Sequence, residues 1–134
     1  MADILVVEDS ESTVNFLKLL FKNSGHEVTY CEDYAGAVAA LEKRQRPFAA
    51  VVTDWQYIGI DGGPKSTSGG WDLLDYLAVN PQYRPKHILV GSGDDLTGKM
   101  DRWSGMNPLP LTYVKGTSFN NAVKALRDTL KNNL

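Results

Sequence analysis

Five polar side chains follow short apolar runs in this sequence, and their types suggest phosphate and metal chemistry. Glu8 and Asp9 follow the run ILVV, and Asp54 comes one threonine after the run FAAVV. Ser92 and Lys115 come after two later runs, ILV and LTYV. If these runs are strands of one parallel sheet, the five side chains meet at the edge where the strands end.

Three neighbouring carboxylates need a cation, because like charges close together repel one another. Mg²⁺ suits such a group, since it binds through one or two carboxylates together with waters and phosphate oxygens. A carboxylate beside the ion can also act as a nucleophile and become an aspartyl phosphate. Lys115 and the Ser92 hydroxyl would then help the metal to neutralise the phosphoryl oxygens. Singly, each residue has a structural explanation as a cap, turn or surface residue, so the hypothesis depends on their joint placement.

Five apolar runs predict the strands that position these residues. They are Ile4–Val7, Val28–Cys31, Phe48–Val52, Ile88–Val90 and Leu111–Val114. The first, third and fourth runs are continuous, which is typical of strands buried on both faces of a parallel sheet. Helical patterns alternate with the strands, around residues 14–21, 37–41, 71–78 and 119–130. The alternation predicts an α/β fold, a three-layer α/β/α sandwich built from βαβ units.

Two segments interrupt the alternation. Gly59–Gly70 contains five glycines and a proline, which predicts a mobile loop. Asp94–Pro110 occupies the place of the fourth helix but contains two glycines and two prolines, so we expect a short or distorted helix there. No repeat or second core pattern is visible, and we expect residues 1–134 to form one domain.

Composition excludes several classes of function. The 134 residues carry a net charge of -2, which gives no basic surface for nucleic acid. The single cysteine, Cys31, allows no intrachain disulfide and suits a reducing compartment. The first ten residues lack the basic start of a signal peptide, and no apolar run approaches the ~20 residues of a membrane helix. We therefore expect a cytoplasmic protein that binds neither nucleic acid nor membrane.

Taken together, four motifs resemble the receiver domains of two-component response regulators. ILVVEDS is similar to the first strand of the family with its acidic pair, and VVTDWQ to the third strand with its phosphoacceptor, here Asp54. ILVGSG resembles the fourth strand, with Ser92 at the hydroxyl position, and YVKG resembles the fifth, with Lys115 as the family lysine. The resemblance covers nearly the whole chain and implies a five-stranded parallel sheet in the flavodoxin-like order 2-1-3-4-5.

The resemblance also implies the chemistry of the site. Mg²⁺ would be held by Glu8 or its water, Asp9, Asp54 and the main-chain carbonyl of Gln56. A histidine kinase or a histidine phosphotransfer protein would donate a phosphoryl group to Asp54, and the phosphorylated chain would act on an output partner protein. We expect the chain to promote only its own phosphorylation and dephosphorylation, and not to be an enzyme for other substrates.

Several positions depart from the family pattern. Tyr57 and Ile58 stand where the family commonly has Met-Pro, and the loop that follows is longer than usual. Gly116 replaces a cis proline after the lysine, and Thr112 occupies the position of the switch aromatic. Thr112, Gly116 and the unusual fourth-helix segment support an alternative, a pseudo-receiver scaffold that binds a partner without being phosphorylated. Five intact site residues oppose it, namely Glu8, Asp9, Asp54, Ser92 and Lys115.

Two other functions are disfavoured by single residues. Gly59–Ser66 resembles a Walker A loop, but a proline replaces a glycine and removes an N–H from a loop that must donate such groups to phosphates. An aspartate-dependent phosphohydrolase would place a second acid two residues after its nucleophile. Here that residue is Gln56, which cannot act as a general acid.

Overall fold

The computed structural model describes residues 2–60 and 67–132. These residues form one parallel sheet of five strands in the order β2-β1-β3-β4-β5, with helices on both faces. The strands are β1 Asp3–Val7, β2 Glu27–Cys31, β3 Ala50–Asp54, β4 His87–Ser92 and β5 Leu111–Val114. The α-helices are α1 Glu11–Phe21, α2 Tyr34–Glu42, α3 Gly69–Val79 and α4 Thr117–Asn132. The predicted fold class and strand order are confirmed.

Each face of the sheet carries its own apolar core. Along β1, Leu5 and Val7 pack in a cluster with α2 and α3, whereas Ile4 and Val6 pack in a second cluster with α1 and α4. All four side chains are fully buried. Burying such a side chain stabilises the fold by roughly 1.5–3 kcal/mol, so a continuous apolar run is the pattern that a central strand requires.

The helices that flank the site begin and end where their sequences predict. Ser10 is the N-cap of α1, and its hydroxyl accepts the N–H of Thr13 at 3.5 Å. α4 buries an apolar stripe against the sheet, made of Phe119, Val123, Leu126 and Leu130. Among the described residues, no helix combines the length and the apolar character that crossing a membrane requires.

Strand β3 lies two residues later in the chain than the apolar run Phe48–Val52 predicts. Phe48 is buried but precedes the strand, and the Arg44 guanidinium lies 4.3 Å from its ring centroid. At the other end, Thr53 and Asp54 continue the backbone pairing with β4. Hydrophobicity marks which side chains are buried, whereas the backbone determines the pairing, so polar residues extend the strand.

The predicted loop Gly59–Gly70 is wrong at its end, because Gly69 and Gly70 form the first turn of α3 and are buried. Residues 61–66 lie outside the described residues, and with them most of the segment that resembles a Walker A loop. The prediction treats every glycine there as a source of flexibility. At these two positions the chain instead needs the absence of a side chain, because a Cβ atom would overlap residues that follow Asp54.

A short 3₁₀ helix, Lys99–Trp103, occupies the place of the fourth helix, which confirms the predicted short or distorted element. It is attached to α3 through Asp75. The Arg102 guanidinium donates to both oxygens of that carboxylate, at 2.8 and 3.0 Å, and the Trp103 indole N–H donates to it at 3.0 Å. The segment therefore has a defined position despite its length.

Candidate functional site

The structure brings the predicted polar residues to one edge of the sheet. Glu8 and Asp9 directly follow β1, and Lys115 directly follows β5. Asp54 and Ser92 are the last residues of β3 and β4, rather than the first residues beyond them. One carboxylate oxygen from each of the three acids lies within 4.8 Å of the other two.

Lys115 joins two of the three acids. Its ammonium nitrogen lies 3.0 Å from Asp54 Oδ1 and 3.2 Å from Glu8 Oε2. Glu8 is 4% exposed and Asp54 is 8% exposed, so both carboxylates are largely withdrawn from water. Burying a charge is costly unless it is paired. One ammonium neutralises the charge of only one of the two carboxylates, so a further cation would be bound favourably by the cluster.

Burial and charge act in opposite directions on these groups. Burial raises the pKa of Glu8, an effect opposed by the Ser10 N–H and by Lys115. Burial alone would lower the pKa of Lys115, but the hydrogen bonds and charges of Asp54 and Glu8 outweigh it and raise the pKa. The lysine is therefore held in its charged form at neutral pH.

Backbone groups fix the orientation of the buried acids. Glu8 Oε1 accepts the N–H of Ser10 at 3.0 Å, which leaves Oε2 directed at Lys115. Asp54 Oδ1 accepts the N–H of Trp55 at 2.8 Å in addition to the lysine. Asp9 differs from both, because it is exposed and its carboxylate makes no hydrogen bond or ion pair with the described residues.

Ser92 and Gln56 flank the carboxylates. Ser92 is buried, its hydroxyl oxygen accepts the N–H of Asp94 at 3.1 Å, and its carbonyl accepts the N–H of Lys115 at 2.7 Å. Gln56 is exposed and makes no hydrogen bond with the described residues. Its carbonyl is thus available to a ligand, and its role in metal binding stays a prediction.

Two residues that the sequence did not single out secure the end of β3. The Thr53 hydroxyl donates to the Asp54 carbonyl at 2.8 Å and lies 2.8 Å from the Tyr57 hydroxyl. Because the Thr53 proton is already used, Tyr57 is the donor of that second bond. Tyr57 is 1% exposed, and burial raises its pKa far above the usual range. Tyr57, which stands at the family's methionine position, is therefore a core residue that is hydrogen-bonded to β3.

The Gly69-Gly70 pair lets the N-terminus of α3 approach the residues after Asp54. A Cβ atom at Gly69 would lie 1.9 Å from the Tyr57 ring, and one at Gly70 would lie 2.6 Å from the Trp55 carbonyl oxygen. Without side chains, their N–H groups donate to the carbonyls of Tyr57 and Trp55 at 2.9 and 3.1 Å. The helix thus holds the backbone on both sides of Gln56. The glycine pair is the signal in the sequence, although a flexible loop would carry the same signal.

The remaining departures from the family pattern concern the surroundings of Lys115. Gly116 has φ +119°, a conformation that glycine adopts and other residues rarely do. Thr112 is half-buried opposite Val90, whereas Tyr113 packs on the face of the sheet that α1 and α4 cover. No aromatic side chain therefore occupies the position of the family's switch residue.

Three tryptophans, one of which follows Asp54 in the chain, form an aromatic cluster. Trp55, Trp71 and Trp103 pack edge to face, with ring centroids 5.0 to 6.2 Å apart. Such pairs add about 0.5–1.5 kcal/mol beyond their burial. The cluster connects the residue after Asp54 with α3 and with the 3₁₀ helix.

The donor set at this edge is compatible with a divalent cation. All three candidate side-chain ligands, Glu8, Asp9 and Asp54, offer carboxylate oxygens, which Mg²⁺ prefers over nitrogen or sulfur. Two of them are buried and one is exposed, so an ion there would keep access to water. Mg²⁺ usually retains several water ligands in proteins, which such a partly exposed site allows.

Comparisons with known proteins identify the fold. The sequence matches no protein-family model and no curated protein. The structure, however, is similar to many solved receiver domains. A response regulator receiver domain protein from Clostridium thermocellum is 16% identical, with a TM-score of 0.70 over 99% of this chain and 96% of the other.

Two further solved structures are similar to the structure of this chain. The chemotaxis protein CheY4 of Vibrio cholerae is 20% identical, with a TM-score of 0.72 over 96% of this chain and 98% of the other. The receiver domain of the Francisella response regulator 1452 is 19% identical, with a TM-score of 0.71 over 99% and 98% of the two chains. The chain therefore has the fold of the response regulator receiver domains.

Proposed function

We propose that this chain is a phosphoacceptor receiver domain of a two-component phosphorelay, with Asp54 as the residue that is phosphorylated. The observation that carries the proposal is the position of Asp54. It ends a central strand, contacts Lys115 at 3.0 Å, and lies within 4.8 Å of two further acids. A structural ion pair would not need the additional carboxylates, which repel one another without a cation.

The two oxygens of Asp54 have different surroundings, which assigns them different roles. Oδ1 accepts from Lys115 and from the Trp55 N–H. Oδ2 makes no hydrogen bond with the described residues and is the atom that attacks phosphorus. As the new O–P bond forms, the P–N bond to the donor's histidine breaks, and the imidazole leaves with its electron pair.

The neighbouring residues stabilise the transferred group. Lys115 already carries its positive charge and contacts one of the phosphoryl oxygens, and the Ser92 hydroxyl donates to another. Glu8 or its water, Asp9, Asp54 and the Gln56 carbonyl would hold Mg²⁺, which supplies positive charge to the transferred group. The first turn of α3 keeps the Gln56 backbone in place for this purpose.

The chain then acts as a switch between proteins in the cytoplasm. A histidine kinase or a histidine phosphotransfer protein donates the phosphoryl group, and an output partner recognises the phosphorylated form. Gln56 offers no general acid two residues after Asp54, so we propose hydrolysis of the chain's own aspartyl phosphate and no turnover of other substrates.

The alternative is a pseudo-receiver that binds a partner without phosphorylation. Two departures from the family pattern favour it. A 3₁₀ helix that is hydrogen-bonded to Asp75 stands where the family has an α-helix, and Thr112 stands at the position of the switch aromatic. In that case the Lys115–Asp54 pair serves only to neutralise buried charge.

Phosphorylation with a small donor separates the two functions. The protein is incubated with acetyl phosphate and Mg²⁺, and its intact mass is measured. We expect one added phosphoryl group in the wild type and in Asp101→Asn, an exposed acid outside the cluster of Glu8, Asp9 and Asp54. We expect none in Asp54→Asn, and none when EDTA removes the metal. An unmodified wild type, or an Asp54→Asn variant labelled equally, would reject the phosphoacceptor function.

A further inference from the structure

The opposite edge of the sheet, where the strands begin, carries a concave and positively charged surface. A pocket of about 620 Å³ lies there between the chain before β3, the chain before β4 and the start of β1. Its cationic residues are Arg44, Arg46, Arg84 and Lys86, and we call this surface the basic pocket. The whole chain has a net charge of -2, so the concentration of positive charge is local.

Most of this charge is uncompensated. Arg44 forms an ion pair with Asp3, and that pair is neutral as a whole. Arg46 and Lys86 are exposed, and their side chains make no hydrogen bond or ion pair with the described residues. Cations that lack a protein partner and surround a concavity attract an anion of matching size.

Arg84 supplies a third uncompensated charge in a fixed orientation. Its guanidinium donates through Nε to the carbonyl of Leu77 at 2.7 Å and through Nη2 to the carbonyl of Ala78. These acceptors orient the group but carry no net charge. Because the guanidinium is already held in place, little side-chain entropy is lost when it binds a ligand.

Part of the wall of the basic pocket is apolar. Phe48, Pro47 and Leu130 line it together with the cations, and of these three side chains only Pro47 is exposed. The Arg44 guanidinium lies over the Phe48 ring, 4.3 Å from its centroid. Its flat cationic group therefore lies next to the apolar part of the wall. A ligand with an anionic part and a flat apolar part would contact both the cations and the apolar part of the pocket wall.

We propose that the basic pocket binds a small organic phosphate, a nucleoside polyphosphate in chemical class. Arginine forks pair with phosphate oxygens through two parallel hydrogen bonds, and a base can pack on the exposed Pro47 and beside the Arg44 guanidinium. The pocket volume falls within the range of about 300–1,000 Å³ that is usual for small-molecule sites. A strand of five residues at about 3.3 Å each separates the pocket from Asp54. The proposed ligand site is therefore separate from the phosphoacceptor site, and the proposal does not depend on phosphorylation of Asp54.

Titration with ATP followed by ¹⁵N–¹H NMR tests the proposal. EDTA is present throughout, so that a metal–nucleotide complex cannot occupy the acidic edge. We expect the amide signals of residues 44–49 and 84–87 to move in a saturable manner, and the affinity to fall as salt is added. Tripolyphosphate should bind at least about tenfold more weakly than ATP. Adenosine alone should not bind.

Charge reversal at exposed positions provides the variants. Arg46→Glu and Lys86→Glu should each weaken ATP binding by about tenfold or more, whereas Lys124→Glu, on the exposed face of α4, should change it by less than about twofold. Thermal melts verify that the variants are folded. The proposal is overturned if ATP at about 5 mM moves no signals in the pocket, if the pocket variants bind as the wild type does, or if tripolyphosphate binds as tightly as ATP.

Discussion

The charge on Asp9 offers a sharp test of the acidic edge, because Asp9→Asn removes repulsion without removing a contact. Asp9 is exposed and has no partner among the described residues. Glu8 and Asp54 share Lys115, so one net negative charge remains beside Asp9. Most substitutions at a well-packed site destabilise a protein, whereas here we expect stabilisation of the metal-free form.

Coulomb's law gives the size of the effect. Two like charges 4.8 Å apart repel by about 1 kcal/mol at the dielectric constant of water, which is the appropriate limit for an exposed side chain. The free energy of unfolding should therefore rise by up to about 1 kcal/mol, which corresponds to about 3–5 °C in Tm for a domain of this size. Asp54→Asn should show less gain, because it also removes the negative charge that pairs with Lys115.

Thermal melts at low ionic strength with EDTA measure the effect. Glu27→Gln is the matched control, an exposed acid at the start of β2 whose carboxylate makes no hydrogen bond or ion pair with the described residues. Its Tm should stay nearly unchanged, and added salt should reduce the gain of Asp9→Asn. Mg²⁺ at ten times its Kd should stabilise the wild type by about 1.4 kcal/mol, and Asp9→Asn should lose most of that gain. A lower Tm for the metal-free variant, with wild type and variant equally unmoved by Mg²⁺, would refute a shared cation site.

Three further substitutions test the residues that position the site. Gly70→Ala should destabilise the protein by about 1–3 kcal/mol in urea unfolding, because its methyl group would overlap the backbone after Asp54, whereas Gly105→Ala meets no atom within 4 Å and should be tolerated. Tyr57→Phe should cost about 1 kcal/mol in the same assay, since it removes one buried hydrogen bond. The pKa of Lys115 is raised in the folded state, so its ion pairs contribute stability below the ordinary lysine pKa of about 10.4 and lose it as pH rises through the folded value. The stability difference between wild type and Lys115→Met, followed by melts across pH, should therefore shrink in strongly alkaline solution and stay constant between about pH 7 and 9.

The sequence predicted the sheet and the edge of the site well, because both follow from simple rules. Buried parallel strands need continuous apolar runs, as in β1 and β4, and the carboxyl ends of such strands meet at one edge. The convergence of Glu8, Asp54 and Lys115 follows from strand order alone. No knowledge of side-chain contacts was needed for that part.

The supporting contacts could not be predicted in the same way. The bond between Thr53 and Tyr57 joins a strand residue to one in an irregular segment, and no periodicity marks such a pair. Gly69 and Gly70 carry a glycine signal, but glycine serves both flexible loops and close approaches. Only the position of α3 against the Tyr57 ring and the Trp55 carbonyl distinguishes the two uses.

The beginning of β3 shows a related limit. Phe48 is as buried as a strand residue, but its ring packs beside the Arg44 guanidinium before the pairing starts at Ala50. Burial and strand pairing are separate properties, and a hydrophobic run reports only the first. The resulting shift places Asp54 inside the strand rather than after it.

Chemical mapping of the phosphorylated residue shows whether Asp54 is the phosphoacceptor. The protein is labelled with acetyl phosphate and Mg²⁺, reduced with borohydride to convert an aspartyl phosphate into homoserine, and digested for peptide mass analysis. We predict homoserine at position 54 and at no other aspartate, with the signal lost when Mg²⁺ is omitted. Homoserine at Asp9 or another acid, or an unmodified peptide around Asp54, would contradict the assignment of this edge as a phosphoacceptor site.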